Sequence, residues 1–324
     1  MKVNYTRRIA VAALMAASVS TGMPALADGH SKVQLRMATS GTETDQRSIA
    51  MANVFAPLVG TFASFEPSYN STIFAQGTEL DAISRGNLEM SITSAQELAQ
   101  FFPEFSIFTA GYVHQDADHQ VAVFNDPLMD PFKAKVENEL GVKLLSVMYL
   151  GRRQVNLRQT KDELTVNKPS DLAGVNLRMP GTDAWQFLGK ALGAALSTGA
   201  VDGQDNPLPT VVDKKFYEVT NQIVLTSHLV DLNYIAMSAE TFNSMTAEQQ
   251  VAVQAAADAA AASGRKIQLE LEGSLVAFLE EQGMEVYEPD TAAFRNQVQS
   301  MYLDSEFAAT WPAGVLEKVN ALGK

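Results

Sequence analysis

Near the start of this 324-residue chain, positions 33–38 alternate apolar Val33, Leu35 and Met37 with Gln34 and Arg36. A period of two sends successive side chains to opposite faces, so a half-buried strand is predicted there. Thr39-Ser40-Gly41-Thr42 reads as a turn and the entry to a helix over 45–55, with Pro57 expected to oppose its continuation. A second strand is predicted over 65–69, with Pro67 an irregular residue for a strand. A short helix follows over 77–86 and ends at Gly86, then an apolar strand over 88–93, then Ser94 and another helix. This β-α-β-α-β order is that of an open α/β sheet with helices on both faces.

The second half repeats the grammar with longer apolar runs. Strands are predicted over 143–149, 154–158, 223–226 and 235–237, and the run 177–179 begins a second lobe. A long helix is predicted over 247–278, starting at Thr246 and Glu248. Its alanine-rich stretch 255–262 has the apolar spacing of a packed helix rather than of low complexity. No repeat of solenoid period is present.

The first 27 residues have the layout of an export signal. Lys2, Arg7 and Arg8 form a basic start, 9–19 is a short apolar run, and Ala25-Leu26-Ala27 offers small residues for cleavage before Asp28. The apolar run is too short to span a bilayer and ends in Ser, Thr, Gly and Pro. The chain is expected to be exported. The chain has no cysteine, so thiolate metal sites, thiol nucleophiles and iron–sulfur clusters are excluded, and an exported chain must hold itself together by its core. The length beyond the leader suits two packed lobes.

Acidic residues outnumber basic ones 37 to 24, for a net charge of −13, and three of the basic residues lie in the leader. Nucleic acid and anionic membrane are therefore poor partners. An anionic ligand would have to be held by specific cations, not by the overall field.

Little in the chain resembles catalytic or metal chemistry. Asp116, Asp118 and His119 form an isolated acid–histidine cluster, read as a loop or helix start, and no metal or cofactor is expected. Gly189-Lys190 looks like the end of a phosphate loop, but Gly181 is too far upstream and Ala191 replaces the hydroxyl residue. What remains is Arg178, at the end of a β-type run, with Asn206 downstream in a turn rich in Gly, Asp and Pro. A guanidinium offers a planar fork of donors that matches a carboxylate, and an amide beside it can read a hydroxyl. The pair points to binding of a small organic acid. Each also has a structural reading: an interlobe ion pair for Arg178, an Asx-turn for Asn206. Of the adjacent Arg152 and Arg153, one is expected to face inward and one solvent. Trp185 reads as core, and Thr39 as a turn residue.

These residues fall in blocks that resemble a known family. The blocks are Gln76-Gly77-Thr78-Glu79-Leu80-Asp81-Ala82-Ile83-Ser84-Arg85-Gly86, Phe102-Pro103-Glu104-Phe105, Asp171-Leu172-Ala173-Gly174-Val175-Asn176-Leu177-Arg178-Met179-Pro180 and Val201-Asp202-Gly203-Gln204-Asp205-Asn206-Pro207-Leu208. The chain resembles the solute-binding proteins of tripartite ATP-independent periplasmic (TRAP) transporters, in the C4-dicarboxylate-type branch. The resemblance implies an α/β, two-lobed periplasmic binding protein fold with a ligand cleft between the lobes and a long interlobe helix. Its expected division is 28–150 mainly lobe 1, 151–240 mainly lobe 2, and 241–324 as helices linking both. It further implies that Arg178 clamps the ligand carboxylate, Arg153 supplies a second basic contact and Asn206 the ligand amide. Thr39 and Ser94 would fall at strand-end pocket positions, with the Trp185 ring over the ligand. The implied partners are a carboxylate-bearing small molecule and the membrane permease subunits.

One departure stands out. Similar proteins carry a Pro-rich strand and an aromatic segment after the position of Ala194, and roughly a dozen residues are missing here. The shortened chain is expected either to lack a sheet element and bind weakly, or to run 184–198 as one helix. Competing functions are a periplasmic sensor built on the same lobes and an enzyme acting on an organic acid. The lack of an evident nucleophile or general base argues against the enzyme.

Overall fold

The computed structural model describes residues 32–196 and 200–323, so the expected leader and cleavage site lie outside the described residues. The strands are β1 (Val33–Ala38), β2 (Ala63–Ser68), β3 (Met90–Ser94), β4 (Val142–Leu157), β5 (Asn176–Arg178), β6 (Ala195–Leu196), β7 (Gly203–Pro207), β8 (Gln222–Ser238) and β9 (Glu285–Tyr287). They form a mixed sheet in the order β2-β1-β3-β8-β4-β7-β5-β6, with β9 paired to β8. The fold is α/β and two-lobed.

Two strands belong to both lobes. Val142–Tyr149 of β4 pair with Leu232–Ser238 of β8 beside β3, and Gly151–Leu157 pair with Gln222–Asp231 beside β7. The expectation of separate strands over 143–149 and 154–158, and over 223–226 and 235–237, is thus corrected. Each pair is one strand, of 16 and 17 residues. The polar residues between the apolar runs are not loops. They are buried where the strands cross, with bulges between Tyr149 and Gly151 and between Arg153 and Val155.

Gly151 makes the crossing possible. Its φ is +125°, and a Cβ there would lie 2.7 Å from both Glu272 Oε1 and Pro207 Cβ. Glu272 belongs to the helix Ala247–Glu281. Its carboxylate accepts hydrogen bonds from Tyr149 Oη at 2.5 Å and the Arg152 amide at 2.6 Å. The long helix therefore grips the crossover directly.

The same helix seals the first lobe. Val253, Ala256, Ala257, Ala260 and Ala261 are buried against Leu35, Met37, Met51, Phe55 and Ile235. Small side chains on that face let the helix approach closely, and Gly264 packs on Ala50 and Met148. The alanine-rich stretch is a buried seam. Further along, Leu279 packs with Leu208, Val211 and Ile223 of the second lobe.

Two other expectations are corrected. Pro57 does not end the first helix. Gln46–Ala50 runs into a π-helical turn, Met51–Phe55, and then Ala56–Val59. The wide turn, closed by Ala56 N donating to Met51 O, relieves the carbonyl that the proline ring would strike. Nor does one helix run over 184–198. The helix Asp183–Ala191 stops before Gly193, which sits at φ +93° where a Cβ would collide with the Pro169 carbonyl oxygen. The chain then forms β6, parallel to β5 at the sheet edge. The predicted Pro67 irregularity is accommodated because β2 is an edge strand, where a missing N–H costs no ladder bond.

Candidate functional site

A cavity of about 1040 Å³ opens between the lobes, beside the strand crossover. Arg153, Arg178, Asn206, Ser94 and Trp185 line it. Thr39 does not reach it. Its hydroxyl accepts from the Gly41 amide at 3.1 Å, and Ser40 and Gly41 line the wall instead.

The two arginines differ in kind. Arg153 is buried on β4 and engaged through all three of its nitrogens. Nε donates to Asp205 Oδ2 at 2.7 Å, Nη1 to Asp231 Oδ2 at 2.8 Å, and Nη2 to the Asp205 carbonyl at 2.6 Å and to Asn206 Oδ1 at 3.2 Å. Its guanidinium lies 4.4 Å from the Trp185 ring centroid. Burial alone would lower its pKa, but the Asp205 and Asp231 charges more than reverse that and raise it. Burial likewise pulls the Asp205 carboxyl upward. The Arg153 charge and a hydrogen bond from His228, at 3.1 Å, hold it well below the usual carboxylate range.

Arg178 stands at the end of β5 and, among the described residues, has no carboxylate partner. It stays accessible at the cleft, while surrounding protein and the Arg153 charge push its pKa below the ordinary value. A cation left unpaired in a chain with 37 acidic residues is a ready place for a ligand anion. Trp185 adds a second open valence. It is buried, yet its indole N–H has no hydrogen-bond partner among the described residues. Asn206 Nδ2 donates to Gln204 Oε1, leaving its second amide proton for another acceptor.

Apart from Ser94, the first-lobe wall went unread in the sequence. Asp45 caps the first helix and takes Arg47 Nε at 2.9 Å and Nη2 at 2.6 Å, while Arg47 Nη1 donates to Asn233 Oδ1 at 2.6 Å. These residues line the cavity too, as does Glu97. Asp45 carried only a helix-start signal, and Asn233 sat inside an apolar run. Glu97 was visible as the partner of a capping box with Ser94, whose amide donates to Glu97 Oε2 at 2.8 Å.

Beneath Glu97 lies Glu79, from the Gln76-Gly77-Thr78-Glu79 block. Burial, then the Glu97 charge, pushes its pKa up to about 7. The folded state thus holds a proton that the unfolded chain releases, so this group favours folding most at low pH and opposes it progressively from about pH 4.3 to pH 7. Glu79→Gln keeps the acceptor for the Gly77 amide, now 2.7 Å away, and removes the charge. It is expected to raise stability at pH 8 by about 2–3 kcal/mol and to flatten the pH dependence between pH 5 and 8. Urea denaturation at the two pH values measures this; parallel curves for parent and variant would refute it.

The model of bacterial extracellular solute-binding protein family 7, DctP, matches residues 60–308. The chain belongs to this family. The Vibrio cholerae sialic acid-binding periplasmic protein SiaP is 26% identical over 255 residues, 75% of this chain and 77% of that one. The Escherichia coli 2,3-diketo-L-gulonate-binding periplasmic protein YiaO is 24% identical over 290 residues, 83% and 87% of the two chains. Among solved structures, a TRAP periplasmic solute-binding protein from Roseobacter denitrificans, with bound 3-deoxy-D-manno-oct-2-ulosonic acid (KDO), superposes with a TM-score of 0.89. It is 68% identical and covers 90% of this chain and 100% of its own. A Sulfitobacter TRAP solute-binding protein with bound α-D-taluronate shares the fold, at a TM-score of 0.78 and 23% identity.

This DctP-family chain is therefore a TRAP-type solute-binding protein, and the family implies membrane permease subunits as partners. Periplasmic location is typical of the family. The acid–histidine cluster is the helix start expected of it, with Asp116 capping the helix Ala117–Asn125. Asp116 Oδ1 accepts from the His119 amide at 2.8 Å, and His119 Nε2 meets the Val319 carbonyl oxygen at 2.7 Å. Among the described residues no cluster suited to a metal ion occurs.

Proposed function

We propose that the protein delivers an eight-carbon 2-keto sugar acid of the KDO type to a TRAP permease, with the ligand carboxylate on Arg178. The observation that carries the class of ligand is the Arg178 guanidinium, which lines the cavity with no carboxylate partner among the described residues. The choice of a sugar acid over a C4-dicarboxylate is supported by the 68% identical Roseobacter protein and its bound KDO. A cavity of about 1040 Å³ also exceeds what a four-carbon acid fills. In this reading the Trp185 indole N–H and the Asn206 amide donate to ligand oxygens, Asp45, Glu97 and Asn233 face its hydroxyls, and Ser94 shapes the first-lobe wall. Arg153 acts as the rigid cation that orients Trp185 and Asn206.

The shortened stretch after Ala194 fits this reading, since the Roseobacter relative is matched over its whole length and holds a sugar acid. The leader would be removed after Ala27. Titration calorimetry and thermal shift with KDO, galacturonate and malate test the proposal. KDO at a hundred times its Kd is expected to stabilise the protein by about 2.7 kcal/mol. A response to malate and none to KDO would replace the sugar acid with a dicarboxylate.

A further inference from the structure

The two lobes also touch each other through side chains at the rim of the ligand site. In the second lobe the helix Leu208–Asp213 ends at the pair Asp213-Lys214, and both side chains reach the first lobe. Thr42 Oγ1 lies 2.7 Å from each Asp213 carboxylate oxygen and donates its single proton to one of them. Thr44 Oγ1 donates to Asp213 Oδ1 at 2.5 Å. Lys214 Nζ donates to Asn70 Oδ1 at 2.9 Å and to the Ser40 carbonyl at 3.3 Å. These bonds join segments more than 140 residues apart, at one edge of the cavity that Ser40, Asn70 and Lys214 line.

Backbone geometry on both sides sets this contact apart from a chance surface pairing. Asn70 and Ser71 have φ of +56° and +54°, and Lys215, directly after the pair, has φ of +55°. Asn adopts the left-handed region readily, but serine and lysine do so mainly where their surroundings hold them there. In the first lobe the hold is visible: Asn70 N donates to Gly41 O at 2.8 Å and Ser71 N to Thr39 O at 3.1 Å. This presents the Asn70 side chain and the Ser40 carbonyl together to one lysine. In the second lobe the left-handed turn at Lys215 ends the helix with Asp213 and Lys214 projecting across.

We propose that Asp213 and Lys214 form a clasp between the lobes, which favours the closed cleft by contacts that do not involve the ligand. The clasp rests on the receptor reading only for its effect on affinity. A contact made in the closed state alone raises the population competent to retain any ligand, so it scales all affinities alike. Arg178, by contrast, contributes through the ligand's own carboxylate.

The test uses the full chain, whose lack of cysteine allows spin labels to be placed through Leu58→Cys in the first lobe and Lys190→Cys in the second. Double electron–electron resonance is recorded with and without KDO, in this labelled parent and with Asp213→Ala added. The alanine variant is expected to lose short-distance population while its melting without ligand stays cooperative. Asp213→Asn, which keeps an acceptor, is expected to retain most of that population. Calorimetry of Asp213→Ala is expected to show Kd raised about fivefold or more, by the same factor for KDO as for any other sugar acid bound. Equal distance distributions in parent and Asp213→Ala overturn the clasp whatever the ligand. An effect on one ligand alone also overturns it, because Asp213 would then be acting as a ligand contact. A parent that binds none of the acids overturns the ligand reading and leaves the distance measurement to decide the clasp.

Discussion

Arg178→Lys is expected to weaken sugar-acid binding tenfold or more while the fold survives. Lysine keeps the positive charge but replaces a planar fork with a point donor, so a paired carboxylate contact is lost. Charge-assisted hydrogen bonds contribute about 1.5–3 kcal/mol each, and 1.4 kcal/mol is a factor of ten in affinity. Arg178→Ala is expected to weaken binding further. Both variants should unfold like the parent, because Arg178 compensates no carboxylate among the described residues. Calorimetry beside urea denaturation separates the two effects. Unchanged affinity in Arg178→Lys would show that the arginine does not carry the fork contact.

Arg153→Met is expected to do the opposite: to damage the fold first. It strands Asp205 and Asp231, both buried, with His228 left as a neighbour of Asp205. Removing one member of a buried ion cluster costs about 3–5 kcal/mol, because the remaining charges lose their compensation. The Asp205 part of the pH dependence should also change sign, whereas Asp231, which burial already raises above its ordinary value in the parent, should only be raised further. In the parent, Asp205 titrates below its unfolded value, so its contribution is present above about pH 4 and is lost as pH falls through the folded value. In Arg153→Met, the orphaned carboxyls would titrate above their unfolded values, so lowering the pH from 7 toward 5 should recover stability. Adding Asp205→Asn and Asp231→Asn should restore part of the loss by removing the orphaned charges. An Arg153→Met protein as stable as the parent at pH 7 would show that the cluster is not held together by this arginine.

Local pattern made much of the fold legible. The alternation over 33–38, the helix entry at Asp45, the Ser94 cap and the long helix all follow from neighbours within a few residues, and each occurs. The strand crossover was illegible for a reason of the same kind. Polar residues such as Arg152, Arg153, Gln154, Asp231 and Asn233 interrupt apolar runs, and a polar interruption reads as a strand end. Here it is the middle of a strand, because Asp205, Asp231, Asn206 and the Trp185 ring satisfy Arg153 from segments 32–78 residues away in sequence.

The same distinction divides the site. The amino-acid sequence by itself determined that Arg178 ends a strand and that the chain carries the blocks of a solute-binding family, but the turn expected around Asn206 is instead strand β7, held between β4 and β5 by pairing with distant segments. Only the tertiary structure decided which arginine is free. Arg153 and Arg178 look alike as residue types, and pairing depends on which carboxylates arrive from distant strands. β7 and β8 bring Asp205 and Asp231 to Arg153 and bring none to Arg178 among the described residues. Local propensity is set by bonds along the chain, whereas charge compensation is set by proximity through space, and only the folded sheet supplies it.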